Sequence, residues 1–186
     1  MPGSAEVLGA SPAIAAIRER LGGLLRHQSA TRRPPPILIS GETGTGKGLF
    51  ARLIHESGPR AAAPFVDVNC AAIPENLLEA ELFGFERGAF TDARHAKAGL
   101  FQAASGGILF LDEIGLLPES LQAKLLKALE ERSVRRLGSI RNENVDVWVV
   151  AATSEDLPAA VRRRRFREDL YHRLAVLEIQ LPPLAA

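Results

Sequence analysis

Aromatic residues make up only 5% of this 186-residue sequence, and Cys, Met, Trp and Tyr occur once each. A lone cysteine, Cys70, excludes an internal disulfide and points to a reducing, cytoplasmic setting. No apolar run approaches the ~20 residues of a membrane-spanning helix, so no membrane partner is expected. The opening Met1-Pro2-Gly3-Ser4-Ala5-Glu6 has neither the basic nor the apolar region of a secretory signal. Charge of one sign is lacking too. The net charge of +1 gives no reason to expect nucleic-acid binding by field alone. DNA contact is expected only through domains outside this sequence. His27, His55, His95 and His172 are scattered without metal-ligand spacing.

What is present suits one globular domain. Hydrophobic residues at 46% and charged ones at 24% are ordinary proportions. A chain of this length buries roughly 70% of its unfolded surface. Residues 1–36 read as an N-terminal helix and linker, and 37–184 as the core. Ser11-Pro12 starts the helix, with Ile14, Ile17, Leu21, Leu24 and Leu25 on one face and Gly22-Gly23 weakening its end.

The rest is organised around Ile37-Leu38-Ile39-Ser40 and the loop Gly41-Glu42-Thr43-Gly44-Thr45-Gly46-Lys47. A short apolar run enters a glycine-rich turn, and Gly48 to Ile54 continues as a helix. Such a unit turns successive backbone N–H groups toward phosphate oxygens, and the helix dipole and Lys47 add positive charge. Position 48 departs from the general motif, where a Ser or Thr hydroxyl binds Mg²⁺.

Further strands are expected at Phe65–Asn69, Ile108–Leu111, Val145–Ala152 and Val176–Leu181. Helices are expected from Pro74 through Leu82, over Gly99–Ala104, over Pro118–Glu131 and over Arg167–Leu174. Five strands with intervening helices give an α/β fold around a mainly parallel sheet. Ligands in such a sheet sit beyond the strands' carboxyl ends, which here are the glycine loop, Asn69, Asp112-Glu113 and Thr153-Ser154. Asp112 would hold Mg²⁺, directly or through water, since a hard cation takes carboxylate oxygen. Glu113 would orient or deprotonate an attacking water.

The sequence resembles the AAA+ ATPase domain of sigma-54-dependent transcriptional activators, from about Val7 to Leu184. The resemblance is carried by Gly41–Lys47, Val68-Asn69-Cys70-Ala71-Ala72, Glu81-Leu82-Phe83-Gly84, Gly88-Ala89-Phe90-Thr91, Gly106–Ile114 and Phe166–Leu174. It implies a P-loop core with strand order 5-1-4-3-2, with ATP bound by Gly41 through Gly48, Asp112, Glu113 and Thr153, and Mg²⁺ by Asp112. A homo-oligomeric ring, usually a hexamer, with ATP between subunits is also implied. Arg167 and Arg173 match arginine fingers reaching a neighbour's γ-phosphate, and Asn69 matches a residue that pairs with Glu113. Phe90 and Thr91 belong to the loop that engages sigma-54 and so acts on RNA polymerase. The family continues into a helical lid beyond this sequence, so the expectation is a core truncated before the lid.

Gly48 stands where the family has Glu, Asp92 where a second Gly is common, Phe85 for a frequent His, and Ser154 for a sensor Asn. Arg162–Arg165 reads as a solvated face near a subunit boundary. The expected function is ATP hydrolysis coupled to remodelling of sigma-54 RNA polymerase. The alternative is a nucleotide-dependent interaction module with weak turnover or another partner.

Overall fold

The computed structural model describes residues 12–28 and 33–183. Helix α1 covers Pro12–Gln28, running through Gly22-Gly23. The expected cap Ser11, the side chain of Ile14 and Leu184 lie outside what is described. The strands of the main sheet are β1 (Ile37–Ser40), β2 (Phe65–Asn69), β3 (Ile108–Asp112), β4 (Trp148–Thr153) and β5 (Leu177–Gln180). Their order is β2-β3-β4-β1-β5, all parallel, which is the expected 5-1-4-3-2 read from the other edge.

The helices between them are α2 (Lys47–Ser57), α3 (Glu75–Phe83), α4 (Leu100–Ala103), α5 (Glu119–Glu131), α6 (Leu157–Arg162) and α7 (Glu168–Leu174). Two ribbons stand apart, Gly84–Phe85 with Lys97–Ala98 and Ser133–Val134 with Glu143–Asn144.

Side-chain alternation divides the interior into two layers. Ile37, Ile39, Ile108, Phe110 and Val150 face α1 and α2, packing on Leu21, Leu25, Phe50 and Ile54. Leu38, Leu109, Leu111, Val149 and Ala151 face the other way, onto Leu78, Leu82, Leu121, Leu125 and Leu170. Both faces of the central strands are therefore dry, as parallel sheets require. Each fully buried Leu, Ile or Phe contributes about 1.5–3 kcal/mol.

Strand β4 begins at Trp148, three residues later than the sequence pattern suggests. The preceding groups are engaged elsewhere: Val145 donates its N–H to the Arg132 carbonyl at 2.9 Å, and the Asp146 carbonyl accepts from Gly106 at 2.7 Å. Helix α6 is not signalled by the sequence pattern. Asp156 caps it, accepting the Ala159 N–H at 2.9 Å, and Pro158 lies in its first turn. Only Leu157 and Ala160 of its six residues are buried, too few to leave a helical period in the sequence. Arg162 to Arg165 are largely exposed, in keeping with a solvated face. Among the described residues no helix is long and apolar enough to cross a membrane.

Candidate functional site

The ends of β1, β2, β3 and β4 lie side by side, so their terminal residues meet at one rim of the sheet. Register fixes the neighbours: Ser40 lies opposite Thr153, and Asn69 opposite Asp112. The Gly41 N–H donates to the Thr153 carbonyl at 3.2 Å, drawing the loop across the end of β4. A Cβ at Gly41 would stand 2.9 Å from Thr45 Oγ1 and 3.2 Å from Leu181 Cβ, so glycine permits the close turn. Gly46 caps α2 in the left-handed region (φ 85°, ψ 23°), a conformation that glycine adopts without strain.

Lys47 is only 6% exposed. Its Nζ donates to the carbonyls of Gly41 and Glu42 at 2.9 and 3.0 Å. Thr45 Oγ1 donates to the same Glu42 carbonyl at 2.8 Å, so Thr45 and Lys47 brace the loop from within. No carboxylate pairs with the Lys47 ammonium among the described residues, which leaves it free to serve an incoming anion. Above this bracing, Glu42, Thr43 and Gly44 form the exposed crest of the loop.

Gly48 lies one residue into α2. A Cβ there would come no nearer than 3.8 Å to Phe110 Cε1, an ordinary contact, so a larger residue is accommodated. Gly48→Thr should therefore fold normally and tighten Mg²⁺-dependent nucleotide binding by roughly tenfold or less, the worth of one hydroxyl ligand or hydrogen bond. Titration of Mg²⁺ against a fixed nucleotide concentration measures it. An unchanged midpoint would mean that the hydroxyl cannot reach the ion.

Asp112 and Glu113 close the far side. The Glu113 N–H donates to Asp112 Oδ1 at 2.9 Å. Burial pushes the Asp112 carboxyl above its ordinary range; that N–H opposes the shift, the Glu113 charge adds to it and Lys47 opposes it. A cation beside Asp112 would relieve that cost. No group of three or more His, Cys, Asp or Glu residues among those described forms a metal cage. One carboxylate completed by phosphate oxygens and waters is nevertheless a normal Mg²⁺ arrangement, so the donors here fit. Cys70 lies beneath, its N–H donating to the Asp112 carbonyl at 3.0 Å. Burial, then the Asp112 charge, push its thiol up to about 12, which leaves it unreactive.

Glu113 adopts φ 53°, ψ 49°, a left-handed conformation that a non-glycine residue holds at a cost of about 1–3 kcal/mol. Its Oε2 accepts from Ser154 Oγ at 2.9 Å and from the Ser154 N–H at 3.4 Å. Strain and tether together aim the carboxylate across the rim. The expected partner, Asn69, is occupied differently: its Oδ1 accepts the Ala71 N–H at 2.9 Å in a local turn. Ser154 therefore holds Glu113 here, a role the sequence reading did not give it. The available signal was its place at a strand end, after buried Thr153.

The remaining candidates do not join this cluster. Arg167 is exposed and forms a two-point pair with Asp169 at 3.0 and 2.9 Å, while its backbone N–H donates to Gln122 Oε1 at 2.8 Å. Arg173 is half-buried six residues on, donating to the Leu129 carbonyl at 3.2 Å. Phe90 is 43% exposed, its ring centroid 4.9 Å from that of Phe85 in an edge-on pair. The turn beneath is closed by Gly88 N–H to Ala93 carbonyl at 2.8 Å and Ala93 N–H to Phe90 carbonyl at 3.0 Å. Phe90 and Thr91 thus sit on a self-braced tip, and no hydrogen bond among the described residues ties that tip to the phosphate loop.

Comparison with known proteins bears on this arrangement. Residues 8–180 match the model of the sigma-54 interaction domain. The response regulator protein PilR of Pseudomonas aeruginosa is 53% identical over 96% of this chain and 39% of its own length. The crystal structure of NtrX from Brucella abortus superimposes with a TM-score of 0.83 at 37% identity, covering 94% of this chain and 38% of that one. An NtrX structure in complex with ATP gives 0.80 over 94% and 36%. The chain thus spans well under half the length of these relatives.

Proposed function

This chain belongs to the sigma-54 interaction domain family, and from that premise we propose that it binds ATP at the phosphate loop and hydrolyses it to remodel sigma-54 RNA polymerase. The observation that carries the reading is the convergence of buried Lys47, Asp112 and tethered Glu113 at one end of a parallel sheet. That NtrX has been crystallised with ATP supports the choice of nucleotide.

In this reading the backbone N–H groups of Gly41 to Gly48 cradle the phosphates, and Lys47 exchanges a loop carbonyl for the β- and γ-phosphate oxygens. Asp112 would hold Mg²⁺, which supplies charge neutralisation on the transferring phosphoryl group. Glu113 orients a water in line with the γ-phosphorus and receives its proton as the bond to the β-phosphate oxygen breaks. Ser154 fixes the carboxylate's aim, and Asn69 offers a second partner if Glu113 rotates. Arg167 and Arg173 act on the ATP of a neighbouring copy in a homo-oligomeric ring, a hexamer by family resemblance. Phe90 and Thr91 meet sigma-54. A turn braced in this way suits a lever that passes on a nucleotide-dependent movement.

Glu113→Gln tests the chemistry. It should leave ATP affinity intact and lower hydrolysis roughly 10²-fold or more, the scale of losing a positioned base. Equilibrium binding and phosphate release measure the two quantities separately. Parental turnover in the variant would assign water activation to another group. Binding that persists beside negligible parental turnover would favour a nucleotide-gated interaction module.

A further inference from the structure

At the opposite end of the sheet from the phosphate loop, four arginines converge on one cavity of about 220 Å³. Pro34 to Pro36, just ahead of β1, form one wall, and Val147 and Val149, on either side of the first residue of β4, form another. Arg33, Arg60, Arg132 and Arg173 line it, and Asp146 is the one acid among the lining residues. Arg60 uses that acid: Nη2 donates to Asp146 Oδ1 at 2.9 Å, and Nη1 to the carbonyls of Gly107 and Asp146 at 3.0 and 3.1 Å.

Arg33, Arg132 and Arg173 are left without a carboxylate partner among the described residues. Arg173 gives one N–H to the Leu129 carbonyl, while its Nε is enclosed with no acceptor. Burial first, then the charges of Arg33 and Arg173, hold the Arg132 guanidinium below its ordinary range, and the Asp146 carboxylate only partly offsets them. Glu130 and Glu131 flank Arg132 on an adjoining hollow but do not line this cavity. A local cluster of like charge is costly unless an anion compensates it.

Guanidinium forks match phosphoryl oxygens in geometry as well as charge. The cavity is several times the ~30 Å³ share of one water, so it has room for more than solvent. A single carboxylate would leave most of the excess charge uncompensated, whereas a di- or triphosphate terminus would balance it. We propose that Arg33, Arg132 and Arg173 form a second phosphoryl-anion site, separate from the phosphate loop. Strand β1 lies between the two ends, four residues or about 13 Å long. With the packed sheet between them, the phosphates of one nucleotide in the chain's own loop cannot fill both. The phosphates come from solution or from a nucleotide held by another copy, and only the second source rests on the function proposed above.

The experiment uses Lys47→Ala protein, in which the phosphate loop is silenced, and pyrophosphate as the probe. Calorimetric titration should show saturable binding. Adding Arg33→Gln and Arg132→Gln, which keep the side-chain stems and the backbone conformation, should weaken it roughly tenfold or more, the scale of losing charge-assisted contacts. Arg33→Lys with Arg132→Lys should regain part of the affinity. Thermal melts report folding; removing mutual repulsion should leave the melting temperature unlowered in the absence of pyrophosphate. Equal pyrophosphate affinity in the Arg and Gln proteins would overturn the site. A second arm follows ATP turnover against protein concentration with Lys47 intact. Loss of the concentration-dependent part in the Gln protein identifies another copy's nucleotide as the source, while an unchanged rise beside lost pyrophosphate binding identifies free polyphosphate. If no ATP is hydrolysed at any concentration the functional proposal fails, and the pyrophosphate titration still decides the site.

Discussion

Lys47→Ala is expected to abolish ATP binding. The Lys47 ammonium is enclosed at the start of α2 and its hydrogen bonds go only to the carbonyls of Gly41 and Glu42. Those two acceptors are neutral, so an incoming phosphate wins the exchange on charge, as charge-assisted hydrogen bonds are roughly twice as strong as neutral ones. Alanine removes the charge and also leaves the loop's crest without its inner brace. Part of the loss will therefore come from loop disorder. Lys47→Met controls for the space left by truncation, since it fills much of the same volume but likewise has no donor. Both variants should show no saturable ATP binding by calorimetry while melting near the parental temperature. ATP affinity equal to the parent's would remove the premise on which the whole site is built.

The local parts of this site were legible in the sequence, and the contacts between distant segments were not. Gly41 to Lys47 carries its conformation in its own residues, because Gly46 must enter the left-handed region and Lys47 must follow it. Strand β3 announced itself as an unbroken apolar run, since both of its faces are covered. Its neighbours placed Asp112 beside Asn69 through register alone. The partner of Glu113 was another matter. Whether Asn69 or Ser154 meets that carboxylate depends on side-chain torsions at the ends of two different strands, and on the left-handed turn at Glu113 itself. Spacing along the chain does not encode any of those. Helix α6 was hidden for a related reason, since a six-residue helix with two buried positions depends on its Asp156 cap more than on a hydrophobic stripe. The arginine cavity drew residues from positions 33, 60, 132 and 173, a grouping that only the folded sheet creates.

Arg167→Ala is expected to lower ATP turnover by about 10³–10⁵, the worth of an arginine finger, with little change in ATP affinity. Arg167 is exposed and its fork is held by Asp169 at 3.0 and 2.9 Å. Exposed pairs of this kind are weak because water screens both charges, so Asp169 can release the fork to a stronger anion. Its backbone is held more firmly, by the buried Gln122 amide that accepts the Arg167 N–H and donates to the Leu117 and Arg165 carbonyls. The base of the Arg167 side chain is thus fixed and its tip exchangeable, which is what the proposed reach across a subunit boundary would need. None of these contacts is to the phosphate loop of its own chain. Turnover per molecule should therefore rise with protein concentration. Mixing Lys47→Ala protein, which keeps its finger, with Arg167→Ala protein, which keeps its ATP site, should restore part of the lost activity. Asp169→Asn should lower the concentration needed for half-maximal turnover, because it weakens the contact that competes for the fork. Co-assembled mixtures that stay as inactive as either variant alone would rule out a finger acting between copies.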